Sequence, residues 1–235
     1  MSHYSDMGFA ISSREEFNKL IEDLSTNKYS NPIIHNKKNL QIREHQIGDI
    51  RYFFLYQKKW FLKLVGKDLT FSYNNPNISK TKLLSVSNGN NDTFNNIFVS
   101  SENDGQFCFA CPNLATKKIK KDSTVNLSIA CFANQIELIS KEEYENESTK
   151  DELSLADESY LSNVEKDPTT AWLSGYVVDF KKETNPLTNE SFFVIDISCL
   201  SLNFRLLVDK NFIDEAKLQI GNIARGTFWC TALIV

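Results

Sequence analysis

The sequence predicts an α+β fold that is mostly antiparallel sheet with a few helices. Short apolar runs rich in aromatic residues, separated by turn-forming residues, occupy the middle of the 235-residue chain. Helical periodicity is confined to a few segments. The composition, 41% hydrophobic and 24% charged with only 8 Gly and 5 Pro, is typical of a globular protein that buries a core without disulfide bonds.

The first predicted element is a helix that begins after Ser13. Ser13 and Glu16 have the spacing of a capping box. The apolar residues that follow recur at helical spacing: Phe17, Leu20, Ile21 and Leu24. An acidic helix is predicted at residues 141–147 and a short one at residues 211–217.

Strands are predicted through most of the remaining chain. The apolar runs that indicate them lie at residues 52–56, 60–65, 69–73, 82–86, 96–99, 107–111 and 125–133. Short turn-forming segments separate these runs, so we expect neighbouring strands to pair antiparallel.

The C-terminal part is expected to be an OB-like small barrel. Its predicted order is strand, strand, strand, short helix, strand, which is close to a five-stranded Greek-key barrel with one strand missing. We therefore divide the chain into an α+β N-terminal region, residues 1–160, and an OB-like β unit, residues 171–235. The two units can also pack as one domain.

The charge distribution favours a basic protein partner. The chain carries 26 Lys and Arg against 30 Asp and Glu, a net charge of -4, which argues against a whole-protein electrostatic attraction to nucleic acid. Residues 137–158 contain nine acids and two lysines. Carboxylates there are predicted to bind a basic toxin: Glu142, Glu143, Glu145, Glu147, Asp151, Glu152, Asp157 and Glu158. The alternative interpretation is a solvated helix and loop.

The sequence predicts a cytoplasmic location. The N-terminal residues lack the basic and apolar regions of a secretory signal, and no apolar run is long enough to span a membrane. The five cysteines are an odd number and lie mostly in strand-like runs, which is typical of reduced, buried thiols.

No catalytic, metal or cofactor site is predicted. Cys108 and Cys111 form a Cys-x-x-Cys pair, but structural zinc needs a second pair or histidines nearby. Motifs that bind phosphate or dinucleotides do not occur. His3 and Asp6 are the nearest approach to an acid–base pair, so a small hydrolase is a less favoured alternative.

A nucleic-acid interface is the main alternative. Trp172 and Tyr176, placed with Phe180 on one face of a predicted strand, could stack on bases, with Lys181 and Lys182 beside them. Such aromatic residues more often belong to a core. The lysine cluster at residues 117–121 is a second basic candidate, although most such clusters lie in solvated loops.

Several motifs resemble those of a family of uncharacterised bacterial cytosolic proteins. They are residues 2–9 (SHYSDMGF), 132–134 (FAN), 155–160 (LADESY), 184–188 (TNPLT) and 221–229 (GNIARGTFW). The resemblance spans nearly the whole chain, whereas the Lys- and Asn-rich stretch 40–79 departs from the family pattern. It implies no catalytic residue. Immunity proteins of polymorphic toxin systems are one candidate class for this family.

Together these observations predict a non-enzymatic immunity or antitoxin protein. It would bind a cognate toxin and block the toxin's active site, without a cofactor and without a membrane. The alternative is an OB-like protein that binds single-stranded nucleic acid.

Overall fold

The computed structural model describes residues 5–9, 11, 13–25, 30–36, 40–58, 64–88, 94–101, 105–148, 158–163 and 167–235. The α-helices are α1, Arg14–Ser25, and α2, Lys141–Ser148. The strands are β1 Ile33–Asn36, β2 Leu40–Ile47, β3 Ile50–Lys58, β4 Leu64–Tyr73, β5 Ser79–Asn88, β6 Asn95–Ser100, β7 Gln106–Cys111, β8 Thr124–Ile139, β9 Ser159–Asn163, β10 Asp167–Thr184, β11 Ser191–Cys199, β12 Leu202–Asp209 and β13 Ile223–Ile234. Short 3-10 turns occur at Ser5–Met7, Leu114–Thr116, Lys210–Phe212 and Glu215–Lys217.

The predicted fold class is confirmed at this level, because 61% of the described residues are in strands and few are in helices. Strands β1 to β4 form an antiparallel sheet in sequence order. The other nine strands form a second sheet, in which most pairs are antiparallel and β8–β12 and β7–β13 are parallel.

In the C-terminal part, successive strand pairs form a circuit that begins and ends at β10. β10 pairs with β11, β11 with β12, β12 with β8, β8 with β13, and β13 with β10. The fifth strand of this circuit, β8, lies upstream of residue 160, so the predicted C-terminal unit obtains its missing strand from the N-terminal region. The division into residues 1–160 and 171–235 stays a prediction, although β8 and β13 pair across it.

A second circuit repeats the first. β5, β6 and β7 pair in order, β7 pairs with β13, β13 with β8, and β8 with β5. In each circuit, three consecutive strands are followed by 3-10 turns, one before β8 and two before β13. The two circuits share β8 and β13.

Matching turns support this two-fold relationship. Before β8, the amide of Leu83 donates to Ser123 O and the amide of Asp122 donates to Leu83 O. Before β13, the amide of Val177 donates to Asn222 O and the amide of Gly221 donates to Val177 O. Asp122 and Gly221 both have positive φ, and the strand pairing is irregular immediately after Leu83 and after Val177.

The centre of the two-fold relationship between the two circuits lies between Cys131 on β8 and Cys230 on β13. These residues are directly opposite each other, and each occupies the same position in its own circuit. Both are fully buried in the largest hydrophobic core, with Ile129, Phe228 and Phe204. The two shared strands, β8 and β13, therefore contribute buried side chains to the core from the middle of the sheet.

The first sheet packs on the second through a separate apolar cluster. Tyr52, Phe54 and Phe71 contribute from the first sheet, and Phe132 and Phe192 from the second. Helix α1 covers this cluster with Leu24. The first sheet therefore covers part of the outer surface of β8, β11 and β12.

The helix predictions are confirmed for α1 and α2 and corrected at residues 211–217. Ser13 caps α1 by accepting a hydrogen bond from the Glu16 amide at 3.1 Å. The third helix is instead two 3-10 turns, Lys210–Phe212 and Glu215–Lys217. Asp209 and Asp214 accept hydrogen bonds from amides two residues later, which favours short turns over a continuous helix.

The N-terminal segment is held by the turn between β10 and β11. Asn185 Nδ2 donates to Met7 O at 2.7 Å, and Thr188 Oγ1 donates to Gly8 O at 2.6 Å. Gly8 has φ 74°, and a Cβ there would crowd Glu190 O. Two of the motifs singled out in the sequence, 2–9 and 184–188, therefore contact each other for structural reasons.

Candidate functional site

An open cavity of about 450 Å³ lies at the end of β8 and the start of β13. The strands that form it are β10, β13 and β8, and the 3-10 turn Lys210–Phe212 closes one side. Its lining residues are Asn134, Gln135, Ile136, Glu137, Trp172, Phe212, Arg225 and Gly226.

We call this cavity the aromatic cavity. The strand register brings its polar and aromatic groups together. Thr227 is opposite both Trp172 on β10 and Gln135 on β8, and Arg225 is opposite Glu137. Side chains that are directly opposite in antiparallel strands project from the same face. Trp172, Gln135, Arg225 and Glu137 therefore share the outer face of the sheet.

Gly226 lets the strands approach closely beneath the cavity. A Cβ on this residue would overlap Gln135 O, so no larger residue fits without moving the backbone. Asn134 is skipped in the pairing between Thr227 and Phe228, which marks a bulge in β8. The bulge and the glycine together shape the cavity floor.

The cavity combines aromatic surface with hydrogen-bonding and charged groups. Phe212 is 44% exposed. Within the described part of the chain, Trp172 Nε1 is a buried donor without an acceptor. Arg225 Nε donates to Glu137 Oε2 at 2.9 Å, and the Glu137 side chain is 60% exposed whereas that of Arg225 is only 16% exposed. The Glu137 carboxylate is thus the solvent-facing charge at the cavity edge.

The structure places some of the predicted toxin-binding acids near this edge. Glu142 and Glu143 are exposed in the first turn of α2, which follows β8 directly. Glu143 accepts a hydrogen bond from the Ser140 amide at 3.1 Å and pairs with Lys217 Nζ at 3.0 Å. The Ser140 hydrogen bond, followed by the Lys217 contact, lowers the pKa of Glu143.

The other predicted acids have different outcomes. Glu145 and Glu147 lie within α2. Glu158 accepts a hydrogen bond from the Leu200 amide at 3.2 Å, so it has a local structural role. Asp151, Glu152 and Asp157 lie outside the described residues.

The structure brings together only some of the residues that were predicted to bind nucleic acid. Trp172 and Tyr176 are half-buried on the outer face of β10, whereas Ala171, Leu173 and Val177 face the core. The aromatic pair is therefore not core.

Phe180 lies on the face opposite Trp172 and Tyr176. The pairing with β11 skips one residue between Val177 and Asp179, and this bulge reverses the alternation. Past the bulge, Lys181 pairs with Glu183, and Lys182 pairs with Glu215 at 2.8 Å. Acids near both lysines reduce the positive charge available for phosphate.

Neither alternative chemical site gains support from the geometry. Cys108 and Cys111 are buried, and burial is the main cause that raises the pKa of each thiol to about 12. His3 lies outside the described residues, and Asp6 is 1% exposed. Among the described residues, no group of three His, Cys, Asp or Glu side chains is arranged to hold a metal.

The sequence did not reveal Phe212 or Arg225 as site residues. Phe212 lies in a predicted helix, and Arg225 is a single charge in an apolar run, so neither has a local signal. The motif at residues 221–229 contains Arg225, but this motif was noted in the sequence only because it resembles a motif in other proteins.

The fold and cavity together define a mostly β protein with an open, aromatic-lined cavity. Comparisons with protein-family models, with curated proteins and with solved structures each gave no match. The family resemblance of the sequence motifs stays a prediction. Among the described helices, neither is long and apolar enough to cross a membrane.

Proposed function

We propose that this protein is a cytosolic binding protein of the immunity or antitoxin type, which blocks the active site of a basic toxin. The observation that carries the proposal is the position of the Glu137 carboxylate at the edge of a cavity walled by Trp172 and Phe212. The partner would place a cationic side chain at Glu137 and an apolar or aromatic group against Trp172.

This arrangement has the features of a protein interface. Tyr, Trp and Arg residues in partly enclosed pockets supply most of the binding free energy in such interfaces, and surrounding charges accelerate association. Trp172 and Phe212 would be the anchor, and Glu137, Glu142 and Glu143 would attract the partner. No reaction by the protein itself is required.

The test is binding to the toxin candidate encoded beside the gene, by titration calorimetry and by inhibition of the toxin. We expect Trp172→Ala and Phe212→Ala each to weaken binding at least about tenfold, since anchor residues contribute roughly 1.4 kcal/mol or more. Phe212 is exposed, so Phe212→Ala keeps the test valid if Trp172→Ala unfolds the protein.

A charge-matched pair of variants tests the acidic surface. Glu137→Gln with Glu142→Gln should slow association and reduce its salt dependence, whereas Glu15→Gln with Glu22→Gln on α1 should not. Absence of a stable complex, or a complex unaffected by all the cavity variants, would contradict the proposal.

We also propose that the C-terminal part is an OB-like small barrel. The support is the pairing circuit of β10, β11, β12, β8 and β13, with two 3-10 turns between β12 and β13. This supports single-stranded nucleic acid as a second candidate ligand, bound at Trp172, Tyr176, Lys181 and Lys182. Fluorescence titration with oligonucleotides at low salt tests it, since Trp172 emission should change on stacking.

A further inference from the structure

A second cavity lies at the position that the two-fold relationship makes equivalent to the aromatic cavity. This cavity, of about 490 Å³, lies at the start of β8 and the end of β13, and the segment after the 3-10 turn Leu114–Thr116 closes it. The residues that could bind a ligand are Lys117, Lys118, Lys120, Ser123, Thr124 and Asn126. None of the described residues that line it is acidic. The equivalent position in the two circuits therefore differs in charge.

The lysine segment is held in a defined conformation. Ile119 packs against the main core, which directs its neighbours Lys118 and Lys120 outward to exposed positions. The Lys117 amide donates to Leu114 O at 3.0 Å, and the Ser123 hydroxyl donates to Lys120 O at 2.5 Å. The lysines thus project from a segment that is fixed at both ends.

Strand β5 adds two lysines to the same surface. Lys80 and Lys82 are opposite Asn126 and Thr124 on β8, and opposite residues project from the same face. Lys82 lies 3.5 Å from Asp122, and both side chains are more than half exposed, so this pair is weakly held. We call Lys80, Lys82, Lys117, Lys118, Lys120 and Lys121 the lysine surface.

The positive potential of the lysine surface extends to β1. Burial, and then the charge of Lys117, lowers the pKa of His35. The nearby carboxylate of Glu44 is neutralised by its ion pair with Arg51. The lysine charges are therefore largely available to a ligand.

We propose that the lysine surface binds the phosphate backbone of single-stranded nucleic acid. Several lysines on two adjacent elements match a ligand with regularly spaced charges, and binding releases the counterions of each neutralised phosphate. Ser123, Thr124 and Asn126 add neutral groups that can hydrogen-bond to phosphate and sugar. Of the apolar lining residues, Val125 and Ile234 are buried, Ile119 packs on the core, and Val235 is 67% exposed. Insertion into a lipid bilayer needs a broad apolar face, which a single exposed valine does not provide.

The test is fluorescence anisotropy with a labelled, mixed-sequence 20-nucleotide single strand at a series of salt concentrations. We expect wild-type protein to bind at low salt. Replacing Lys117, Lys118 and Lys120 with Gln should weaken binding at least tenfold. It should also reduce the slope of log affinity against log salt by about 2, since each phosphate contact contributes about 0.7 for single strands.

The matched control removes the same charge from exposed lysines outside both proposed nucleic-acid sites, with Lys19→Gln, Lys141→Gln and Lys210→Gln. This variant should bind within twofold of wild type. The proposal is overturned if wild-type protein shows no salt-sensitive binding, if both triple variants lose affinity equally, or if vesicles rich in phosphatidylserine are bound and the oligonucleotide is not. The result is independent of whether the aromatic cavity binds a toxin.

Discussion

Asp196 and Arg205 form a buried ion pair between adjacent strands. Arg205 Nε donates to Asp196 Oδ1 at 2.7 Å and Nη2 donates to Oδ2 at 2.6 Å, and both side chains are less than one-tenth exposed. Arg205 Nη1 also donates to Asn74 O at 2.9 Å, and Asn77 Nδ2 donates to Asp196 Oδ2 at 3.2 Å. The ion pair therefore attaches the segment after β4 to β11 and β12.

Removing one member of this pair should destabilise the protein strongly. Arg205→Met leaves the Asp196 carboxylate buried without its countercharge, and we expect a loss of about 3–5 kcal/mol in the free energy of unfolding. Urea denaturation measures it. The double variant Asp196→Leu with Arg205→Met should recover part of the loss. The exposed pair of Lys182 and Glu215 provides the control, since Lys182→Met should cost less than about 1 kcal/mol.

Gly226→Ala should destabilise the protein by steric overlap alone. Its added Cβ would overlap Gln135 O on the neighbouring strand, and overpacking of this kind costs about 1–3 kcal/mol or more. Gly48 is the informative comparison, because it has φ 58° and no atom lies within 4 Å of the position that a Cβ would occupy. We expect Gly48→Ala to cost about 1 kcal/mol from backbone strain. Equal stability of Gly226→Ala and wild type in urea would contradict the observed approach of β8 and β13.

Stability should fall as the pH decreases below about 6.5, partly because of His45. This side chain is 1% exposed and stacks on Tyr52 with ring centroids 4.7 Å apart. Burial lowers the pKa of His45 despite the opposing hydrogen bond with Ser30. Below the ordinary pKa of histidine, about 6.5, the unfolded chain therefore binds more protons than the folded one, which favours unfolding.

The variant His45→Phe isolates this contribution. We expect its free energy of unfolding to change less between pH 7.5 and pH 5.0 than that of wild type. An identical pH dependence in both proteins would show that His45 titrates normally in the folded state.

The five cysteines should be unreactive in the folded protein. All are buried, and burial is the main cause that raises the pKa of Cys199, like that of Cys108 and Cys111, to about 12. Because the thiolate is the nucleophile, alkylation by iodoacetamide at pH 8 should be at least about a hundredfold slower in buffer than in concentrated urea. Rapid modification of a single cysteine, located by mass spectrometry, would identify a thiol that is accessible in solution.

The sequence predicted local elements better than their arrangement. Alternation along residues 125–133 identified β8, and the capping residues Ser13 and Glu16 identified α1, because both signals depend on near neighbours. The pairing of Cys131 with Cys230 joins residues 99 positions apart, and no local pattern encodes it. For the same reason the predicted C-terminal unit lacked one strand. The missing strand is β8, which lies upstream in the N-terminal region.

The candidate sites were predictable only where one short segment carries the chemistry. Residues 117–121 were visible as a lysine cluster, but the contribution of Lys80 depends on the β5–β8 register. Trp172 was singled out, whereas Phe212 and Arg225 approach it only in the folded chain. Phe180 was placed on the wrong face because a bulge interrupts the alternation of β10, and such an insertion leaves no signal in residue spacing.

The sharing of β8 and β13 by both circuits has a consequence for biosynthesis. β13 follows every other strand in the chain, and each circuit requires it, so neither circuit is complete when the preceding strands emerge from the ribosome. Until then, the edge of β8 that later pairs with β13 offers unpaired backbone beside apolar side chains, an arrangement prone to aggregation. Synthesis therefore includes an interval in which β1 to β12 have been made but neither circuit can close, and chaperones would be most needed during that interval.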